Sequence, residues 1–130
     1  MTQLLWIALL FQQVGGLEQQ AHLALDKADR ALTEARSAYA GHDMDKVKAL
    51  IREMIDDLVV AQKSLADTGK DARKRPKQFK YGETKTREML KRIDSLENEM
   101  DIDDREEVAA AKVKVQEIHD EWLLGIMGAK

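Results

Sequence analysis

A chain of 130 residues that is 44% hydrophobic and 35% charged has room for one domain with a core, and its composition is neither disordered nor membrane-embedded. The absence of cysteine excludes disulfide scaffolds, thiol catalysis and thiolate metal sites, and a formal charge of -3 predicts no general attraction to nucleic acid. Seven glycines and one proline leave few turns, so long helices are expected, with a core of Leu, Ile, Val, Met and Ala because aromatics are only 5%.

The first segment, residues 1–16, contains the uninterrupted apolar run Leu4 to Phe11. It is far shorter than the roughly 20 residues of a membrane span, so no transmembrane span is expected. Its length suits the apolar region of a signal peptide, with small residues at Gly15 and Gly16 where cleavage would fall. Met1-Thr2-Gln3 lacks the usual positive charge. Export to a periplasmic or extracellular location is favoured over a cytoplasmic one. The competing reading is a short apolar helix that packs against the rest of the chain.

Leu17 to Ala40 reads as the first long helix. Leu17, Ala21, Ala24, Ala28, Ala31, Ala35 and Ala38 step by four and three, with Leu25, Leu32 and Tyr39 beside them. The small seam allows a close neighbour. Gly41-His42-Asp43 is a turn, with Gly41 expected in the left-handed position and Asp43 as the next N-cap. Met44 to Ala66 is the second helix, bulky where the first is small: Val47, Ile51, Met54, Leu58, Ala61 and Leu65. This hairpin, Ala38-Tyr39-Ala40-Gly41 followed by Asp43-Met44-Asp45, faintly resembles a tetratricopeptide unit. Val47 and Met54 stand where that family has small residues, its terminating proline is missing and no second copy follows, so no function is carried over.

The joint, residues 70–82, holds the lone proline, Pro76. Glu83 to Met100 is the third helix, its start reaching back as far as Pro76, with Met89, Leu90, Ile93, Leu96 and Met100 on its stripe. Asp103 with Glu106 looks like a capping box opening a fourth helix, Asp104 to Leu124, whose stripe is Val108, Ala111, Val115, Ile118 and Trp122. Gly125 and Gly128 are expected to fray its end. The fold class is therefore all-α: an antiparallel four-helix bundle of two hairpins, 17–69 and 83–130, joined by a basic linker in a single domain, 17–130.

Chemistry is sparse. Glu18, His22 and Asp26 could share one helix face as a carboxylate–histidine set, but a charged solvated face is the simpler reading, and no Glu-x-x-His pair exists for a bundle metal site. Ser37, Ser64 and Ser95 all fall within helices, and no glycine-rich phosphate loop is present. No catalytic residue, metal or cofactor is expected, and the enzyme class is set aside. Charge segregation is the remaining signal. Ten basic residues against three acidic ones leave Lys70 to Arg92 at +7, and eight acidic against one basic leave Asp94 to Glu107 at -7. The function expected is a small non-enzymatic structural or protein-interaction module, with a protein partner or a homodimer. The alternative is anion or nucleic-acid binding by Arg73, Lys74, Arg75, Lys77 and Lys80, with Phe79 and Tyr81 available for stacking. The bland reading is a solvated linker whose charges pair with the neighbouring acidic segment.

Overall fold

The structure is a computed structural model; it describes the backbone of residues 2–128 and the side chains of residues 14–128. Four α-helices make the fold: α1, Thr2–Ala40; α2, Met44–Asp67; α3, Lys77–Glu99; and α4, Glu106–Met127. A single 3₁₀ turn, Ile102–Asp104, precedes α4. Among the described residues there is no strand. The all-α bundle of two hairpins is thus what the chain forms.

α1 runs through Gly15 and Gly16 without a break, so residues 16 and 17 do not mark a helix boundary. The apolar run Leu4 to Phe11, and with it the question of cleavage, lies outside the residues whose side chains are described. No described helix is long and apolar enough to cross a membrane.

The stripes read from the sequence are the core. Ala21, Ala24, Ala28, Ala31, Ala35 and Ala38 are buried on α1, and Val47, Ile51, Met54, Leu58, Ala61 and Leu65 on α2. Alanine against bulky aliphatics gives α1 and α2 the most extensive helix pairing in the fold. Each fully buried side chain such as Leu58 or Met54 contributes about 1.5–3 kcal/mol by leaving water. Met89, Ile93 and Leu96 on α3, Met100 at its C-cap, and Val108, Ala111, Val115, Ile118 and Trp122 on α4 complete one contiguous cluster.

The hairpins are antiparallel within themselves but lie side by side in the same sense. Asp26 meets Tyr81 and Arg36 meets Glu99, so α1 and α3 run together. Arg52 meets Glu107 and Gln62 meets Glu121, so α2 and α4 do too. Around the bundle the order is α1, α2, α4, α3. The segment between α2 and α3 therefore crosses one end of the bundle diagonally. The hairpins are closed on one another, not splayed about Pro76.

Three local expectations are corrected. The left-handed residue of the first turn is His42, with φ 61°, not Gly41. The Asp43 N–H donates to the Ala38 carbonyl at 3.0 Å and the His42 N–H to the Tyr39 carbonyl at 2.9 Å. That is a Schellman end, and it requires the left-handed conformation one residue later. Asp43 does cap α2, accepting from the Lys46 N–H at 3.1 Å. Asp103 is not an N-cap. It sits in the 3₁₀ turn, and α4 begins after Arg105 with no side-chain cap. Arg105 instead reaches back, its Nε donating to the Met100 carbonyl at 2.8 Å and so satisfying the end of α3. Finally, α4 does not fray at Gly125 but continues to Met127, with Gly128 left-handed at φ 71° as its C-cap.

Candidate functional site

The joint is shorter and more ordered than its composition suggests. α3 starts at Lys77, at the early end of the range the sequence allows, because Pro76 with φ -82° is preset for the helix and its carbonyl accepts the Lys80 N–H at 2.7 Å. Before it, the Asp71 side chain accepts the Arg73 N–H at 2.9 Å and its carbonyl accepts the Arg75 N–H at 2.8 Å, closing a turn. Thr68 Oγ1 donates to the Leu65 carbonyl at 2.6 Å and accepts the Lys70 N–H at 3.2 Å, holding the exit from α2.

The turn is also pressed onto α4. A Cβ placed on Gly125 would stand 3.3 Å from the Ala72 Cβ, and one on Gly128 would stand 2.8 Å from the Arg73 Cδ. The stem of Arg73 thus lies over the C-terminus of α4, where the helix dipole favours a cation. The two glycines are docking points for the joint.

Arg73, Lys74, Arg75, Lys77 and Lys80 come together on this end and all five are exposed. Among the described residues none of them makes an ion pair. The acidic segment beside them in sequence is not their partner. α3 carries it to the opposite end of the bundle, about 35 Å away at the standard rise per residue. There Glu99 pairs with Arg36 and Glu107 with Arg52, and Asp94 and Glu97 pair with Lys112. Lys77 and Lys80 sit in the first turn of α3, which has no acidic residue. Cations there oppose the helix dipole, an arrangement that costs stability and raises the positive potential.

Most of the rest of the basic stretch is spent internally, Lys91 being exposed and without an ion pair among the described residues. Lys85 approaches Asp29 at 3.5 Å and Asp26 at 3.9 Å, Arg92 pairs with Asp29 and donates to Thr33, and Arg87 meets Glu83 at 3.6 Å. The segment Lys70 to Arg92 therefore divides: apart from Lys91 further along α3, the free charge lies in Arg73 to Lys80.

The aromatic residues are engaged as well. Phe79 packs against the core. Tyr81 stacks on His22 with ring centroids 4.2 Å apart, and its hydroxyl donates to Asp26 Oδ1 at 2.6 Å. Burial and the Asp26 carboxylate push the Tyr81 phenol up to about 12. Glu18 is paired with Lys70, whereas His22 and Asp26 share Tyr81 and approach one another at 3.5 Å. Among the described residues no three His, Asp or Glu side chains converge as metal ligands would.

Between α1, the end of α2 and the joint lies a cleft of about 220 Å³. Leu65, Pro76 and Phe79 line it with apolar surface, and Lys70, Arg75 and Lys77 line it with cations. It is smaller than the roughly 300 Å³ of the smallest common small-molecule sites, and suits a single side chain. Sequence reading missed it because Leu65 and Glu18 reach the joint only through the fold. His119, which has Gln116 and not Glu three residues before it, is buried on α4 with Nδ1 3.1 Å from Asp120 Oδ1 and Nε2 3.6 Å from Glu83 Oε1, partners that its sequence position does not announce. Its hydrogen bond, with that of Gln116, holds the Asp120 carboxyl below the usual range.

Comparison of this chain with protein-family models, with curated proteins and with solved structures finds no match.

Proposed function

We propose that this chain is a small non-enzymatic helical module that binds a protein partner, and that it binds through its basic end. The observation that carries this reading is the set Arg73, Lys74, Arg75, Lys77 and Lys80, ordered on the joint, unpaired among the described residues and gathered beside an apolar cleft. A partner that suits it offers acidic side chains around one aliphatic residue. The charges steer the encounter and the aliphatic residue fills the cleft.

Binding of nucleic acid draws less support. Phe79 is packed against the core with its remaining surface inside the cleft, and Tyr81 is stacked on His22, so neither ring stands free for base stacking. Phosphate attraction by the cations would remain.

The test is fluorescence anisotropy with three labelled probes. One is a glutamate-rich peptide with a single leucine at its centre, the second has serine in that place, and the third is single-stranded DNA of equal charge. The expected order is leucine peptide tightest, serine peptide weaker and DNA no tighter than the serine peptide. Arg75→Glu with Lys77→Glu should abolish binding. DNA bound above both peptides, with a steep salt dependence, would replace this reading with the nucleic-acid one. No binding of any probe at low salt would remove both.

A further inference from the structure

The end of the bundle opposite the joint carries the complement of the cleft. Ile102 stands on the 3₁₀ turn and is 81% exposed, the most exposed large hydrophobic side chain among the described residues. The turn that holds it is fixed: the Asp104 N–H donates to the Asp101 carbonyl at 2.9 Å, and the Asp101 N–H donates to the Tyr39 hydroxyl at 3.1 Å. Asp101, Asp103 and Asp104 flank it, and among the described residues none of the three makes an ion pair. Negative charge at the start of α4 is favourable to the helix dipole, which accounts for Glu106 and Glu107. It does not account for an aliphatic side chain held in water among three free carboxylates.

An aliphatic residue ringed by acids is the partner that the basic end suits. We propose that the occupant of the cleft is Ile102 of a second copy of this chain, with Asp101, Asp103 and Asp104 of that copy against Arg75, Lys77 and their neighbours. This rests on the reading of the basic end as a protein-binding surface. Donor and acceptor surfaces lie at opposite ends of one rod, so the contact is heterologous: each copy bound leaves a free cleft and a free knob. The product is an open chain of bundles, not a closed dimer. The free charges of the two ends attract across the contact, so assembly should strengthen as salt falls and the screening length grows.

Sedimentation velocity of the full chain over a wide concentration range tests this, at about 0.01 M and about 1 M salt. At low salt the expected mass climbs past that of two copies as concentration rises, and at high salt it returns to the monomer. Two variants alter exposed residues only. Ile102→Ser with Asp103→Lys removes the knob, and Arg75→Glu with Lys77→Glu removes the cleft. Circular dichroism checks that each stays helical. Each alone should be monomeric, and the two mixed should form a one-to-one pair and stop there, since one keeps its cleft and the other its knob.

A wild-type chain that stays monomeric at low salt overturns the inference. So does association that ignores both variants or persists at high salt, which would assign it to apolar side chains elsewhere in the chain. A variant that still forms a closed dimer by itself would show an isologous contact and also overturn it. The leucine peptide separates this inference from the reading beneath it. A monomeric chain that binds the peptide keeps its protein-binding end and loses only self-assembly. A chain that does neither loses both.

Discussion

His42 shows how a single backbone angle can be displaced by one residue. A histidine at φ 61° carries the cost of a side chain in the left-handed region, about 1–2 kcal/mol. Glycine there should stabilise the protein by about 0.5–1 kcal/mol, part of the gain being returned through the freer unfolded chain. A Cβ at Gly41 would meet only the Ala38 and Ser37 carbonyls at 3.6 and 3.7 Å, which is ordinary contact. Urea denaturation of His42→Gly and Gly41→Ala therefore checks the turn. The first is expected to raise the midpoint and the second to leave it unchanged or slightly raised; the reverse pattern would place the left-handed residue at Gly41. Tyr81 gives a second test at this scale. Its phenol is raised to about 12 in the folded chain, and it ionises near 10 when unfolded. The folded state thus holds this proton more tightly. The associated stability is complete below about pH 10 and is lost as pH rises from about 10 to about 12. Tyr81→Phe should cost about 1–2 kcal/mol at neutral pH through the lost bond to Asp26, and should flatten the alkaline fall in stability attributable to this residue. Melting temperatures across that pH range, wild type against variant, read both effects.

At the scale of the helix, what was legible in the sequence was whatever repeats along one element. The stripes on all four helices follow from a four-three spacing that needs no knowledge of the partner. What was not legible depends on which helices meet. Gly82 is the sharpest case. As an interior helix residue it looks like a weakness of about 1 kcal/mol relative to alanine. In the fold it is buried, and a Cβ placed there would stand 2.8 Å from the Trp122 ring. Trp122 lies across the backbone of α3, and only glycine allows it. Gly82→Ala is therefore expected to destabilise by about 1–3 kcal/mol despite its better helix propensity. In a Trp122→Phe background the smaller ring should relieve the clash, giving a coupling of about 0.5–3 kcal/mol in a double-mutant cycle. Additive effects would mean that the two residues do not touch. The joint differs from its sequence pattern for a related reason. Its eight charged or amide residues suggest a solvated linker; the turns closed by Thr68 and Asp71 are local, but the contacts of Ala72 and Arg73 with α4 depend on a diagonal crossing that no local pattern announces.

Seen whole, the molecule is one core with two unlike poles. Closure of the bundle decides both. If α3 and α4 hinged away at Pro76, the basic and acidic segments would be mobile relative to α1 and α2, and neither the cleft, which needs Glu18 and Leu65, nor the anchoring of Asp101 by Tyr39 would persist. The contiguous core predicts that the hairpins do not separate before they unfold. Trp122 reports on α4 once Trp6 is replaced by phenylalanine, and far-ultraviolet circular dichroism reports on all the helices together. The two signals should trace the same urea transition with the same midpoint, as in a two-state domain. A fluorescence transition that precedes the loss of helix would reveal a second hairpin that opens on its own. In that event the cleft would lose its α1 and α2 walls and Asp101 its anchor on Tyr39, and the directional, end-to-end character of the self-assembly would lose its structural basis. Coincident transitions would leave a stiff bipolar rod, the geometry that head-to-tail contact requires.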